Sequence, residues 1–427
     1  MKPRSDLWSR RAFNRWAVAA PLVLSPGVIA RGAGLVRAGP NSRIGVGLIG
    51  CGKRLFEMLG PITTHPSLQV VAVCDVDTTR REHAAALVNK ASGNTDCRSF
   101  VRDTDLLAMP GVDAVVIATP DHWHLNQVLS AALARKDIYC EKPLTLTLLE
   151  GKMMIEACRR AGVVFQTGSQ QRTEYGHRFV EACDYVRSGR LGRLLTVHVG
   201  VPGPSVPCDL PEEPLEPGLD WDRWLGPAPW RPYHSTLSPR GIHAHYPKWR
   251  EYREYSGGGM TDFGAHNFDI AQWGMNTDHT GPVRVVPPKN EQAVTGAKLV
   301  YADGVEVIHG GPFGTTFTGT SGIISVFRDS IASIPEKILK EPLGNADKRL
   351  PRAKSHLEDW VACMKSRSRC ICDVEVGARS IACAHLCNLA YWHRRPLDWD
   401  PAAWEFPGDE QANSWRDYER RAGYGVG

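Results

Sequence analysis

A strand-like run, Ile44-Gly45-Val46-Gly47-Leu48-Ile49, empties into Gly50-Cys51-Gly52-Lys53-Arg54-Leu55, and a second apolar run ends on Asp75, 25 residues after Gly50. A buried strand, a glycine turn, a helix-like stretch and a strand ending in a carboxylate together open a parallel α/β unit that binds a dinucleotide. Gly50 and Gly52 keep the turn tight and admit a pyrophosphate to backbone N–H groups at a helix N-terminus, which Lys53 and Arg54 begin. Leu55 replaces the third glycine of this fingerprint, a change that touches helix-to-strand packing rather than phosphate contact. The Asp75 carboxylate accepts hydrogen bonds from ribose hydroxyls and repels a 2′-phosphate. That favours NAD, while Arg80 and Arg81 leave NADP open.

The alternation continues, with strand patterns at 112–118, 138–140 and 163–165 and helix-period segments at 126–135 and 149–161, the latter closed by Gly162. Residues 41–168 are therefore expected to form a doubly wound parallel sheet. After Gly168 the pattern changes. Leu195, Val197, Val199 and Val201 alternate as a half-buried strand does, and Asp303-Gly304 separates two apolar runs as a hairpin turn. Residues 169–427 are expected to be an α+β domain on an open, mainly antiparallel sheet. Within it, 202–247 holds eleven prolines with Trp221, Trp224 and Trp230, a stiffened excursion of the kind that covers sites or partner surfaces. Asp373 reads as the N-cap of a helix over 374–394.

The formal charge of +5 is concentrated at the start of the chain. Lys2, Arg4, Arg10, Arg11 and Arg15 against Asp6 give +4 there and leave +1 for the rest, so no basic face argues for nucleic acid. Ser9-Arg10-Arg11-Ala12-Phe13 precedes an uncharged stretch over 16–30, with Val28 and Ala30 at cleavage positions. That reads as a twin-arginine signal over 1–30, with the export machinery as a partner and the periplasm or another extracytoplasmic space as the destination. Pro21, Pro26 and Gly27 break the run too early for a bilayer span, and no later segment reaches the roughly 18 apolar residues a span needs. The mature chain is expected to be soluble. Of the twelve cysteines, Cys51, Cys74, Cys140, Cys158 and Cys183 sit in apolar patterns and read as buried free thiols. Cys370, Cys372, Cys383, His385 and Cys387 fit no common zinc spacing, and no metal is expected.

Chemistry gathers at three places. Ala118-Thr119-Pro120-Asp121-His122-Trp123-His124 follows the third strand, and Glu141-Lys142-Pro143 follows the fourth. Ligands of open parallel sheets bind beyond the carboxyl ends of the strands, so Thr119, Pro120, His122, His124, Glu141 and Lys142 point at the cofactor crevice. A lysine there polarises a substrate hydroxyl. Far downstream, Gly257-Gly258-Gly259 enters a helix-like stretch in which Asp262 and His266 are four residues apart on one face. A carboxylate beside an imidazole fixes its tautomer and raises its basicity, as a general base for an alcohol requires. Asp269 falls on the same face.

Together these pieces resemble the Gfo/Idh/MocA oxidoreductases over residues 43–427, and the stretches 220–229 and 372–412 look like the exported bacterial branch of that family. The resemblance implies a Rossmann domain, a cis Lys142-Pro143 bond, and a homo-oligomer. Carried over by position, Lys142 contacts the nicotinamide and the reacting hydroxyl, Glu141 the cofactor, and His124 flanks the nicotinamide. Asp262 and His266 are the acid–base pair. Gln170, Arg172, His243, His245 and Tyr246 fall in segments the family places near the substrate. The implied reaction is NAD(P)-dependent oxidation of a CH–OH group in a sugar, glycoside or cyclitol by hydride transfer to nicotinamide. Export removes the obvious pool of NAD(H), so a tightly held NAD and a cycle with no net redox change are expected. This keeps a redox-neutral glycosidase or lyase, working through a transient keto-sugar, as the alternative, and a non-catalytic sugar-binding protein as the second.

Overall fold

The computed structural model describes residues 43–344 and 349–426, so the signal-like segment lies outside the described residues. Six short strands build the first sheet: β1 (Ile44–Ile49), β2 (Leu68–Cys74), β3 (Arg98–Phe100), β4 (Ala114–Ile117), β5 (Asp137–Cys140) and β6 (Phe165–Thr167). Their order is β3-β2-β1-β4-β5-β6, every pairing is parallel, and the order reverses direction beside β1. β1, β4 and β5 are almost wholly buried, because helices cover both faces.

The helices Lys53–Thr64 and Thr78–Ser92 follow β1 and β2. Asp121–Leu133 and Leu148–Ala161 follow β4 and β5, the last ending on Gly162 in the left-handed conformation. Two local expectations shift. The helix after β4 starts at Asp121 rather than 126, because Pro120 pre-sets the backbone for entry. The last strand is 165–167 rather than 163–165, its register set by pairing Phe165 with Ile138.

The second sheet holds β7 (Leu194–Gly200), β8 (Arg284–Val286), β9 (Lys298–Val300), β10 (Glu306–Gly319), β11 (Gly322–Val326), β12 (Ile331–Ile334) and β13 (Leu397–Asp398). All its pairings are antiparallel, in the order β12-β11-β10-β9-β8-β13, with β7 also on β10. Gly264–Met275 and Val374–His393 pack on it, the second capped by Asp373, whose side chain accepts from the N–H groups of Glu375 and Val376. Helix His356–Ser366 does not stay with this half. Its Trp360, Val361 and Met364 join Val46, Leu48 and Val73 in the core of the parallel sheet, so this helix crosses back to the first half.

The proline-rich excursion has a core of its own, in which Leu219, Trp221, Trp224, Tyr233, Leu237, Trp249 and Tyr255 are buried together. Trp221 and Trp224 stack at 4.7 Å between ring centroids. No helix among the described residues is long and apolar enough to cross a membrane. All twelve cysteines are free thiols, and Cys51, Cys74, Cys140, Cys158 and Cys183 are buried.

Candidate active site

The carboxyl ends of β1, β2 and β4 open into a cleft whose lining includes Gly50, Gly52, Lys53, Arg54, Asp75, Thr119 and Pro120. Gly50 has φ +88°, and a Cβ there would fall 2.7 Å from the Thr119 backbone nitrogen, so the turn admits glycine alone. A Cβ on Gly52 would meet nothing within 4 Å, which leaves open space at the start of helix Lys53–Thr64. At the end of β2, the Asp75 carboxylate accepts from Cys51 N–H at 2.6 Å and Asp77 N–H at 2.8 Å. Burial pushes its pKa up against Arg80 and those two N–H groups. A glycine turn, free backbone at a helix N-terminus and a carboxylate at the next strand end fit a dinucleotide with an unphosphorylated ribose.

The excursion roofs this cleft and is bonded to both rims. Thr78 N–H donates to the Gly218 carbonyl at 3.0 Å, and Asp220 N–H to that of Val76 at 3.1 Å. Arg80 donates to the carbonyls of Pro239 and Gly241, and Tyr246 Oη to Glu57 at 2.6 Å. On the other rim, His122 Nε2 and Trp123 Nε1 both donate to the Trp224 carbonyl at 3.0 Å. His243, Tyr246, Trp249 and Arg250 therefore line the nucleotide cleft, which corrects the expectation that His243 and Tyr246 face a sugar. His245 is exposed, and its carbonyl accepts from His243 Nδ1 at 2.8 Å.

The two halves meet at Lys142. Its Nζ donates to Asp262 Oδ1 at 2.7 Å and to the Asp262 carbonyl at 3.1 Å, and the following Lys142-Pro143 bond is cis. Burial alone would raise the Asp262 carboxyl, but Lys142 and Arg250 outweigh it and hold it below its ordinary value. The carboxylate is thus spent on the lysine and not on His266, contrary to the pairing expected from helical spacing. Helical spacing set the face and not the partner. Lys142, reaching in from β5, is a stronger attractor than a neutral imidazole.

His266 is 3% exposed, with Nδ1 buried and unpartnered. Burial, then the Lys142, Arg328 and Arg54 cations, hold its pKa well below the ordinary imidazole value, so it is neutral at pH 7. Glu141 is buried, and Oε1 accepts from Gln170 Nε2 at 2.8 Å and pairs with Arg54 at 2.9 Å. A Cβ on Gly168 would sit 2.8 Å from that carboxylate, so glycine there makes room for it.

Three further expectations change. His122 is fully buried against Trp224 and Tyr255, and its pKa is pushed down to about 4 by burial. It pins the roof rather than touching a cofactor. His124 is equally buried, its ring nitrogens 2.9 Å from the Pro143 carbonyl and 3.0 Å from that of Thr119. It ties the segments that follow β4 and β5 together. Arg172, 1% exposed, is held bidentately by Asp269 at 2.8 Å and also bonds Asp278, so both Arg172 and Asp269 belong to the interior and not to a ligand surface.

Sequence reasoning passed over Asp121, Arg250 and Arg328. Asp121 is 1% exposed and accepts from Ser256 Oγ at 2.6 Å, and burial pushes its pKa up to about 8. It stood in a segment already read as cofactor-facing, but nothing in the pattern announced a buried acid. Arg250 lies over Trp249 and reaches to 3.8 Å from Asp262 with no motif around it. Away from the cleft, Asp359, Cys363 and Cys370 bring donor atoms within 4.8 Å of one another, while His385 bonds Thr145 instead of joining a cysteine cluster. The Asp359 carboxylate already accepts from Gln166 Nε2 and Ile371 N–H.

Arg54 and Arg250, both in the cleft lining, reach Glu141 at 2.9 Å and Asp262 at 3.8 Å, so the dinucleotide cleft adjoins the lysine–carboxylate pair, an arrangement suited to a nicotinamide-dependent oxidoreductase. Comparison with known proteins agrees. The chain matches the NAD-binding Rossmann fold of the Gfo/Idh/MocA oxidoreductases over residues 44–169 and the family's C-terminal alpha/beta domain over 205–426. It belongs to the Gfo/Idh/MocA family.

Among curated relatives, 1,5-anhydro-D-fructose reductase of Ensifer adhaerens is 28% identical over 262 residues, 61% of this chain and 62% of that protein. Inositol 2-dehydrogenase 2 of Saccharopolyspora erythraea is 33% identical over 187 residues, 42% of this chain and 53% of that one. The matched region thus spans between half and two thirds of these relatives. Among solved structures, the aldose-aldose oxidoreductase of Caulobacter crescentus, complexed with glycerol, aligns with a TM-score of 0.58 at 18% identity, over 83% of this chain and 99% of that one. The WlbA dehydrogenase of Bordetella pertussis, in complex with NADH and UDP-GlcNAcA, aligns with a TM-score of 0.57 at 21% identity, over 83% and 98%. At such identities the likeness is one of fold.

Proposed function

We propose that the protein oxidises a secondary CH–OH group of a sugar, glycoside or cyclitol, using an NAD held in the roofed cleft. The observation that carries this reading is the Lys142–Asp262 contact, which joins the cofactor half to the segment bearing His266. Bound NAD supplies the hydride acceptor. His266, neutral and with no partner engaging its ring through Nδ1, takes the hydroxyl proton. Lys142, fixed by Asp262, stabilises the alkoxide as it forms. General-base assistance of this kind contributes about 10²–10⁴-fold.

The roof supports a captive cofactor, since release requires breaking its bonds to both rims, Tyr246 to Glu57 and Trp224 to His122 among them. Captive NAD suits a redox-neutral cycle, either glycoside cleavage through a keto-sugar or oxidation of one sugar coupled to reduction of another. We also propose that Arg10 and Arg11 direct export. Mass spectrometry of the purified protein should find nicotinamide at near-stoichiometric amounts. A sugar and aryl-glycoside screen recording NADH and aglycone together then separates net dehydrogenation from a neutral cycle. Protein that is nicotinamide-free and turns over nothing with added NAD would sink the reading. Retention of an Arg10→Lys, Arg11→Lys variant in the cytoplasmic fraction, with the parent chain in the periplasm, would support export.

A further inference from the structure

The charges around His266 are unevenly matched. Lys142 has Asp262 at 2.7 Å, and Arg250 shares that carboxylate at 3.8 Å. Arg54 has Glu141 at 2.9 Å and Glu57 at 3.2 Å. Arg328 has none of these. It sits in the turn between β11 and β12, with its guanidinium over the rings of Tyr175 at 5.0 Å and Phe263 at 5.9 Å. Its Nε is closed off from solvent and meets no acceptor. The neighbouring Asp329 takes Ser330 Oγ instead, at 3.0 Å.

Nor is the turn free to swing away. Arg178 Nη1 donates to the carbonyls of both Tyr175 and Arg328, and Phe327 packs edge-on against Phe313, which packs on Phe263. Phe263 directly follows Asp262 and lies three residues before His266, so the cation is presented beside the proposed base. Arg172 supplies the internal contrast, because a guanidinium kept for structure here is given two carboxylates.

We propose that the substrate of this site is anionic, a sugar bearing a carboxylate or phosphate ester, and that Arg328 receives the anionic group. This rests on the oxidoreductase reading above and adds the substrate class. A planar guanidinium backed by aromatic rings and given no carboxylate of its own presents paired donors to an oxyanion. The incoming anion also offsets a cation that otherwise opposes protonation of His266.

The test uses the full-length protein loaded with NAD. Three probes share one reacting ring: methyl β-D-glucopyranoside, methyl β-D-glucuronide and methyl β-D-glucopyranoside 6-phosphate. One of the anionic probes should exceed the neutral one in kcat/KM by about tenfold or more, the range of a hydrogen bond to a charged group. Which of the two leads identifies carboxylate or phosphate. Arg328→Gln should collapse that ratio and Arg328→Lys restore part of it, with urea midpoints confirming that both variants fold. Turnover of the neutral probe with no anionic preference, or a ratio unmoved by Arg328→Gln, overturns the proposal and leaves the oxidoreductase intact. Calorimetry with glucuronate and with glucose 6-phosphate reads the anion site without turnover. Saturable binding lost in Arg328→Gln, in a protein that oxidises no sugar, keeps the anion site and overturns the oxidoreductase reading. Absence of binding by either anion counts against the proposal.

Discussion

The cofactor half and the substrate half of this site are held together by different means. In the first, the backbone does the positioning. The Gly50 turn, the open helix start at Gly52 and Asp75 lie within one strand-turn-helix-strand unit, and the bond from Cys51 N–H to Asp75 spans 24 positions. In the second, side chains do it across long separations. Lys142 reaches Asp262 over 120 positions and Arg172 reaches Asp269 over 97. A site built from local backbone tolerates side-chain exchange except at its glycines, whereas one built from distant charged pairs is only as well placed as its weakest pair.

The largest expected effect falls on the substrate half. His266→Ala should lower kcat by about 10²–10⁴-fold while the purified protein keeps its nicotinamide, because nothing on the nucleotide wall depends on the imidazole. Loss of the cofactor together with activity would break the division. Arg172→Ala comes next, expected to cost about 3–5 kcal/mol of stability, since it leaves Asp269 buried and uncompensated. Denaturant titration measures this, and a stable variant with a raised KM would return Arg172 to the substrate side. Asp262→Asn should lower kcat by about 10–100-fold with little change in KM, because it removes the charged partner that orients Lys142. Stopped-flow NADH formation separates that loss from slow product release.

The same division decides what could be read from the sequence. The parallel strands β1, β2, β4 and β5, the glycine turn, Asp75 and the Asp373 cap were all legible, because each is a short-range pattern with a period or a turn behind it. Strand β3 was not, being three residues long with an exposed Arg98 and Ser99. Asp262 and His266 were correctly placed on adjoining helical turns, but their pairing was not, since a partner four residues away lost to a lysine arriving from the other sheet. Arg328 had no signature at all. It stands in a hairpin turn, where a lone arginine ordinarily reads as a solvated surface charge, and only the folded turn shows its nitrogen shut away from water. His122 and His124 misled for the complementary reason. Histidines beside a cofactor loop look catalytic in one dimension, yet both are fully buried, His122 bonded through Nε2 to the Trp224 carbonyl and His124 held between the carbonyls of Thr119 and Pro143.

The smallest effect tests the seam between the halves, where Ser256, just before the Gly257-Gly258-Gly259 entry, donates to Asp121 at the start of the helix after β4. The folded-state pKa of Asp121 is raised to about 8 by burial, and that of Glu150 to about 7. A carboxyl raised in this way binds its proton in the folded chain at pH values where the unfolded chain has released it. Its contribution is fully present below about pH 4 and is lost as pH rises through the folded value. His122, pushed down to about 4, has the opposite sign. Its contribution is lost as pH falls below the ordinary histidine value of about 6.5, so it offsets the carboxyls only in the acid range. Between about pH 6.5 and 8 the histidine is silent, and stability should fall with rising pH by no more than about 1.4 kcal/mol per unit for each proton released. Asp121→Asn keeps an acceptor for Ser256 and removes the titration, so the urea midpoint measured at pH 6.5 and 8 should converge relative to the parent protein. An unchanged slope would mean that Asp121 is ionised throughout, and that Lys142 and Arg250 reach across the seam to hold it so.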